Sequence, residues 1–352
     1  MSNKLFASNY NIIQAPMAGG ITSPELVAGV INAGMVGSIA SGYLSLSDCE
    51  QFIQRVIALS SNRFILNLFI EEPRHTLQRY KKPDSIIRIE QQLDIYERDW
   101  FEVPTTIAIQ DYLELVNKYQ IPAISTTFGL LSQDTVKELQ LNGVKVIASV
   151  TSLTEAQEAL DTGVDGLIIQ GCAAGGHQAS FSDSYQNSLN TLELLQQIRA
   201  LGNNKVLIAT GGIEVSDIHT YLNEYGADYV QLGSLFMLSE LSTLNNSLRE
   251  FIASKSFCDI SMSSTITGKS VRGINNQLMR ELDVAEYPFP IQHYASSYLR
   301  AKAKSMGLFE YAGIWLGEHR SYQPLRFDDL VNDIKNNLNK KEENINGNLS
   351  SN

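Results

Sequence analysis

The residues best equipped for chemistry are one imidazole and several stretches of bare backbone. Gln170 to Phe181 reads QGCAAGGHQASF, directly after the apolar run VDGLII. Ala173, Ala174, Gly175 and Gly176 carry almost no side chain, so they leave room for a flat ligand, and His177 closes the gap. An imidazole at that point can orient an anion or accept a proton, because its ordinary pKa lies near neutrality. Two further gaps are Gly211-Gly212 and Gly233-Ser234. Bare N–H groups at a helix start hold phosphate well, and glycine lets the backbone approach it closely. Ser234 adds a hydroxyl donor. Either pair alone could merely close a tight turn; occurring together they point to a phosphate. Pro16-Met17-Ala18 would lie under a flat ring with methionine as a soft surface, or form a plain turn with a core methionine. Asn67 and Gln170 are amides suited to the polar edge of a heterocycle, or core amides satisfied by nearby backbone. Cys172 has no neighbouring base and reads as a small packing residue.

Elements that could bring these residues together recur along the chain. Apolar runs lie at 11–16, 36–40, 64–70, 121–126, 144–149, 164–170, 205–210 and 228–233. Segments of helical length separate them, including 23–34, 132–143 and 152–163, each opening on Ser and ending at Gly, the expected start and stop signals. Strands without alternation, each followed by a helix, indicate a parallel sheet covered by helices. Eight such units predict an α/β fold, a (β/α)8 TIM barrel of about 250 residues whose chemistry sits at the carboxyl ends of the strands. Every unusual stretch named above falls at such an end. Barrels commonly bind phosphate after strands seven and eight, where Gly211-Gly212 and Gly233-Ser234 fall.

Residues 1–240 account for a barrel that would hold a flat, phosphate-bearing ligand, including a helical insertion at about 71–118 that is too long for an ordinary βα loop. The insertion could be a structural lid or a pocket wall. Residues 241–338 form a C-terminal helical region contributing to the pocket, and 339–352 a polar, frayed tail. The formal charge of −11 argues against a nucleic-acid surface. No apolar run approaches the roughly 18 residues of a membrane span. No secretory signal is visible, and three scattered cysteines form neither a disulfide framework nor a metal motif, which fits the cytoplasm.

QAPMAGG (14–20), STTFG (125–129), AAGGH (173–177), ATGGI (209–213), QLGSLF (231–236) and TGKSVRG (267–273) occur in the order found in the nitronate monooxygenases. The chain resembles that family, formerly called 2-nitropropane dioxygenases, over nearly its whole length. The resemblance implies FMN contacts at Met17, Asn67, Gln170, Gly175, Gly212, Gln231, Gly233 and Ser234, with Pro16, Ala18, Gly176, Gly211 and Leu232 beside them. It implies His177 as the active-site histidine and no metal. Two departures stand out. Ala174 replaces the acid of the usual EAGGH, and the last phosphate loop reads GSLF, keeping a hydroxyl but losing an arginine. Tyr294, Tyr298 and Lys302 fall at i, i+4 and i+8 and make one helical stripe, which is either a solvated face or an anion-binding one. It resembles the substrate side of the bacterial class I enzymes, whose substrate is propionate 3-nitronate. The reaction implied is oxidation of an alkyl nitronate by FMN and O2 to nitrite and a carbonyl compound, in a monomer or homodimer. The alternative is an FMN-dependent enoyl-acyl-carrier-protein reductase using NAD(P)H, which would want a basic docking surface that this acidic chain lacks.

Overall fold

A computed structural model describes residues 5–70, 73–182, 188–202 and 204–339. From residue 340 onward the expected tail lies outside the described residues. The eight strands are β1 (Ile12–Gln14), β2 (Gly37–Ala40), β3 (Phe64–Phe69), β4 (Ala123–Thr127), β5 (Lys145–Val150), β6 (Gly166–Gln170), β7 (Val206–Thr210) and β8 (Tyr229–Leu232). All neighbours pair in parallel, and β8 returns to β1. The bridge between Ile13 and Val36, just before β2, closes the ring. The predicted TIM barrel is therefore observed, with each expected apolar run supplying one strand.

Both faces of these strands are buried, which is why the runs do not alternate in hydropathy. Inward positions such as Ile13, Ile65, Ile147, Ile208 and Tyr229 fill the barrel, and Leu5 and Phe6 pack at the end of that core. Outward positions such as Ile12, Leu66, Leu68 and Ile124 meet the surrounding helices. The helices Pro24–Asn32, Gln133–Leu141 and Leu153–Asp161 begin where expected. The side chains of Ser23, Ser132 and Ser152 each accept a first-turn N–H, a cap worth about 1 kcal/mol. Gly34, Gly143 and Gly163 follow them in the left-handed conformation that ends a helix.

Within the 71–118 segment, Ile109–Lys118 is the barrel's own helix after β3, packed beside the helix Leu46–Leu59. The added part is not only helical. It pairs Gln78–Lys81 with Trp100–Val103 in antiparallel fashion around the helix Asp84–Gln92. The C-terminal region also departs from an all-helical expectation. Ile260–Ser263 and Val271–Ile274 form antiparallel strands, and the second pairs with Gly176 and His177. Its last helix, Phe327–Asn339, returns to the barrel. Phe327, Leu330, Val331 and Ile334 join the sheet–helix core, and Phe327 packs so closely on Gly29 that a Cβ there would lie 3.2 Å from its ring. No described helix is long and apolar enough to cross a membrane.

Candidate active site

A cavity of about 380 Å³ opens at the carboxyl ends of the strands. Its floor follows from strand parity: side chains two apart share a face. Asn67, Thr127, Ser149, Gln170, Thr210 and Gln231 are inward positions near the carboxyl ends of their strands, and all six line the cavity. Below them the inward residues are apolar apart from Ser125, which bonds to Asn67, so the polar layer marks where the packed core stops. Asn67 donates to Ser125 Oγ at 2.9 Å and Thr127 Oγ1 at 3.0 Å, leaving its Oδ1 without a partner among the described residues. Gln231 Oε1 is buried and likewise unpartnered. Gln170 works on the loop that follows it, donating to the His177 carbonyl at 3.2 Å and accepting from the Ala179 N–H at 2.8 Å.

Pro16, Met17, Ala18, Gly175, Gly176, Gly211, Gly212, Leu232, Gly233 and Ser234 also border the cavity. Gly175 and Gly212 are required by contact. A Cβ on Gly175 would sit 2.3 Å from Gly317 N, and one on Gly212 would sit 2.7 Å from the Ala173 methyl. The partner is a C-terminal segment, Leu316–His319, laid across the loops after β6, β7 and β8. Glu318 N–H donates to the Ala173 carbonyl at 3.0 Å, and Gly317 N–H donates to Ser234 Oγ at 3.0 Å, leaving the Ser234 proton available. Arg272 donates to the Cys172 carbonyl and pairs with Glu318. The result is a cradle of backbone and small residues that fits a phosphate.

His177 is held by the strand pairing with Val271 and by Thr267, whose Oγ1 lies 2.9 Å from Nε2. The Thr267 hydroxyl gives its single proton to the Lys269 carbonyl at 3.0 Å. It must therefore accept from His177 Nε2–H, which leaves Nδ1 as the basic nitrogen. Burial, reinforced by Arg300 and Lys269, pushes the His177 pKa down to about 3. That corrects the near-neutral value expected from the sequence: the ring is neutral throughout the physiological range.

The facing wall is the helix Ile291–Ser305. His293, Ser297, Arg300, Ala301 and Lys304 turn to the cavity. Tyr294, Tyr298 and Lys302 do not line it. The Tyr294 ring meets Tyr43 and His293 edge-on; the Tyr298 hydroxyl donates to the Ile95 carbonyl of the insertion at 3.0 Å; Lys302 is exposed. The apolar residues Ala295, Leu299 and Ala303 dock on Ile86, Ile89 and Phe101, and this docking rotates the expected stripe away. Arg300 donates to the His293 carbonyl at 2.9 Å, to Ser296 Oγ at 3.0 Å, and at 3.4 Å to His293 Nδ1. Since arginine only donates, His293 carries its proton on Nε2. Arg300 has no carboxylate partner among the described residues, and burial lowers its pKa to about 10. Burial lowers that of Lys304 too. No Asp or Glu among the described residues lines the cavity, so it favours anions in a protein of charge −11.

An aromatic belt encloses the middle. Tyr43 stacks on His293 at 4.1 Å, and Phe128 meets Phe69 and Phe289 at 4.8 and 5.2 Å. Tyr43 and Phe128 both hold positive φ, 69° and 73°, a conformation that costs bulky residues of order 1–3 kcal/mol and gathers at functional sites. The sequence alone assigns no site role to Tyr43, Phe128, Thr267, His293, Arg300, Lys304 or His319. For Tyr43 and Phe128 a signal existed, since Phe128 follows directly on the end of β4 and Tyr43 lies three residues past the end of β2. The others lie in a region whose placement no local pattern reveals.

A model of the nitronate monooxygenase family matches residues 3–337. The chain is 30% identical over 324 residues to a probable nitronate monooxygenase of Bacillus subtilis strain 168, spanning 90% of this chain and 91% of that one. A probable nitronate monooxygenase of Staphylococcus aureus strain MSSA476 matches at 30% as well, over 90% of each. Among solved structures, a nitroalkane oxidase from Streptomyces ansochromogenes aligns with TM-score 0.85 at 25% identity, over 96% of this chain and 98% of its own. FabK from Thermotoga maritima shares the fold, with TM-score 0.73 at 21% identity over 97% of each chain. A barrel whose glycine loops, histidine and C-terminal cover all fall inside a match of that extent belongs to the nitronate monooxygenase family, and the protein is an oxidoreductase.

Proposed function

We propose that the protein oxidises alkyl nitronates with O2 on bound FMN, releasing nitrite and a carbonyl compound, and that its substrate carries a carboxylate, as propionate 3-nitronate does. When bound, the flavin supplies the electron acceptor and the reactivity with O2. The residues fit such a group. The glycine loops offer bare N–H groups and the Ser234 proton to a phosphate, while the unpartnered Asn67 Oδ1 and buried Gln231 Oε1 await donors on the polar edge of a heterocycle. Met17 and the small residues around it leave a flat space.

One observation carries the substrate assignment: a half-buried guanidinium with no carboxylate partner among the described residues faces a cavity that no described Asp or Glu lines. An enclosed cation of this kind is costly unless an anion joins it. Arg300 would hold the carboxylate and His293 Nε2–H the nitronate oxygens, with the aromatic belt excluding water. His177 Nδ1 would orient the reacting carbon and take its proton when a neutral nitroalkane is used. The low pKa makes His177 a weak base, so preformed nitronates should be much the better substrates.

Purified protein is expected to be yellow and to consume O2 and release nitrite with propionate 3-nitronate. A colourless protein that cannot be reconstituted with FMN defeats the proposal, and rapid bleaching by NADH under anaerobiosis would favour the reductase instead. His177→Asn should lower turnover of neutral nitroethane by about 100-fold or more; full turnover with every substrate removes His177 from the mechanism.

A further inference from the structure

Among the described residues, the loops after β6, β7 and β8 bring no Lys or Arg to the cavity. Both lysine and arginine residues that line it, Arg300 and Lys304, project from the helix Ile291–Ser305. A phosphate dianion in the glycine cradle would then meet backbone N–H groups and one hydroxyl, but no cationic side chain from the loops. One ionisable side chain does reach the cavity from the segment lying over that cradle. His319 is buried at 7% exposure, borders the cavity, and follows Gly317 and Glu318, the residues bonded to Ser234 and Ala173.

Its surroundings are arranged around the imidazole. The His319 N–H donates to the Tyr322 hydroxyl at 3.0 Å, and that hydroxyl donates to the Gly317 carbonyl at 2.9 Å, which closes the turn. Nδ1 lies 3.5 Å from Glu214 Oε1, within ion-pair range but beyond a well-formed hydrogen bond. Glu214 comes two residues after Gly212, on the loop that supplies the cradle. Burial alone would raise its carboxyl, yet the contacts with His319 and with the Arg320 N–H hold it below its ordinary value, so it is ionised. A carboxylate beside Nδ1 accepts that nitrogen's proton, so Nε2 can donate as well only while the ring carries both protons. Nε2 has no hydrogen-bond partner among the described residues.

We infer that His319, backed by Glu214, is a phosphate ligand of the bound cofactor, donating from Nε2 to the group held by the glycine loops. The inference rests on the flavin reading above. It replaces a fixed cation in the loops by an imidazole set between the Glu214 carboxylate and the phosphate, so the grip on phosphate depends on that pair.

The test compares FMN with riboflavin, which differ only in the phosphate. The full-length chain, freed of flavin, is titrated with each, following quenching of flavin fluorescence, in the wild type, His319→Gln and Glu214→Gln. A charge-assisted hydrogen bond predicts that His319→Gln loses about 10- to 100-fold in FMN affinity while riboflavin affinity is unchanged. Glu214→Gln should lose less, about several-fold, and again only for FMN. Because the two ligands share one protein preparation, their ratio separates the phosphate contact from any general loss of fold. An unchanged FMN-to-riboflavin ratio in both variants overturns the inference. A wild type that binds the two flavins equally overturns it by misplacing the phosphate, whereas one that binds neither defeats the flavin reading itself.

Discussion

The two ends of the cavity are built from different materials. The end over β6 to β8 is made of backbone: glycines, a serine hydroxyl, and a C-terminal segment whose main chain is bonded to both. The wall opposite is made of side chains on one helix, chiefly His293, Arg300 and Lys304. A backbone cradle tolerates little variation, because its function is the absence of a Cβ. A helical wall keeps its fold through the residues packed behind it and is free to change the residues in front. This contrast suits a constant cofactor at one end and a variable substrate at the other.

The backbone end should break most sharply. Gly175→Ala places a methyl 2.3 Å from Gly317 N and 2.4 Å from the Leu316 carbonyl carbon, with no rotamer to escape through. We expect a loss of bound flavin together with destabilisation of about 3 kcal/mol or more, read as flavin content per chain and as Tm. A variant that retained both would show that the C-terminal segment does not sit on the loop.

The wall should break selectively. Arg300→Met is expected to reduce kcat/KM for propionate 3-nitronate by about 100-fold, the scale of leaving a buried anion unpaired. A nitronate with an uncharged tail should lose only about several-fold. Thermal stability should change little, since a half-buried cation without a carboxylate partner is replaced by a hydrophobe of similar length at the loss of its bonds to His293 and Ser296. Equal losses on both nitronates would move Arg300 from the tail to the reacting group.

This difference in material also explains what could be seen beforehand. All eight strands were legible because a doubly buried strand is a short apolar run whatever its surroundings, and the serine-capped helices were legible because capping is local. Glycine pairs at strand ends announced the cradle for the same reason. The wall was hidden because the identity of its helix does not disclose its rotation. Tyr294, Tyr298 and Lys302 satisfy helical spacing as well as His293, Ser297 and Ala301 do. Only the docking of Ala295, Leu299 and Ala303 on the insertion selects between them, and those contacts join residues some two hundred positions apart. His319 was hidden likewise, since nothing near it in the chain shows that the segment crosses the glycine loops.

Titration gives a smaller and graded effect. For His177 the folded pKa of about 3 lies below the unfolded value near 6.5, so the unfolded chain binds more protons between those limits. Stability should therefore be full above pH 6.5 and decline as pH falls through that window, by on the order of 1–2 kcal/mol at pH 5 from this residue. Denaturant melts of wild type and His177→Asn should converge as pH falls. Parallel curves would mean that His177 is solvated. At the other extreme, Arg300, lowered to about 10, should give kcat/KM a fall above pH 10 that is missing in Arg300→Met.

The smallest expected effect tests the rotation of the helix directly. Tyr298 spends its hydroxyl on the Ile95 carbonyl, and Glu97 and burial push its pKa up to about 12; Lys302 points to solvent. Tyr298→Phe with Lys302→Ala removes every polar group of the expected stripe beyond Tyr294 while leaving the cavity wall untouched. The pair should change kcat/KM for propionate 3-nitronate less than about twofold and lower stability by about 1 kcal/mol, the ordinary cost of one lost hydrogen bond. A large loss of activity would require the other face of the helix to meet the substrate. Arg300 and His293 would then have to turn towards the insertion, where Ile86, Ile89 and Phe101 offer a guanidinium no partner. That packing conflict is the physical reason for expecting the small effect.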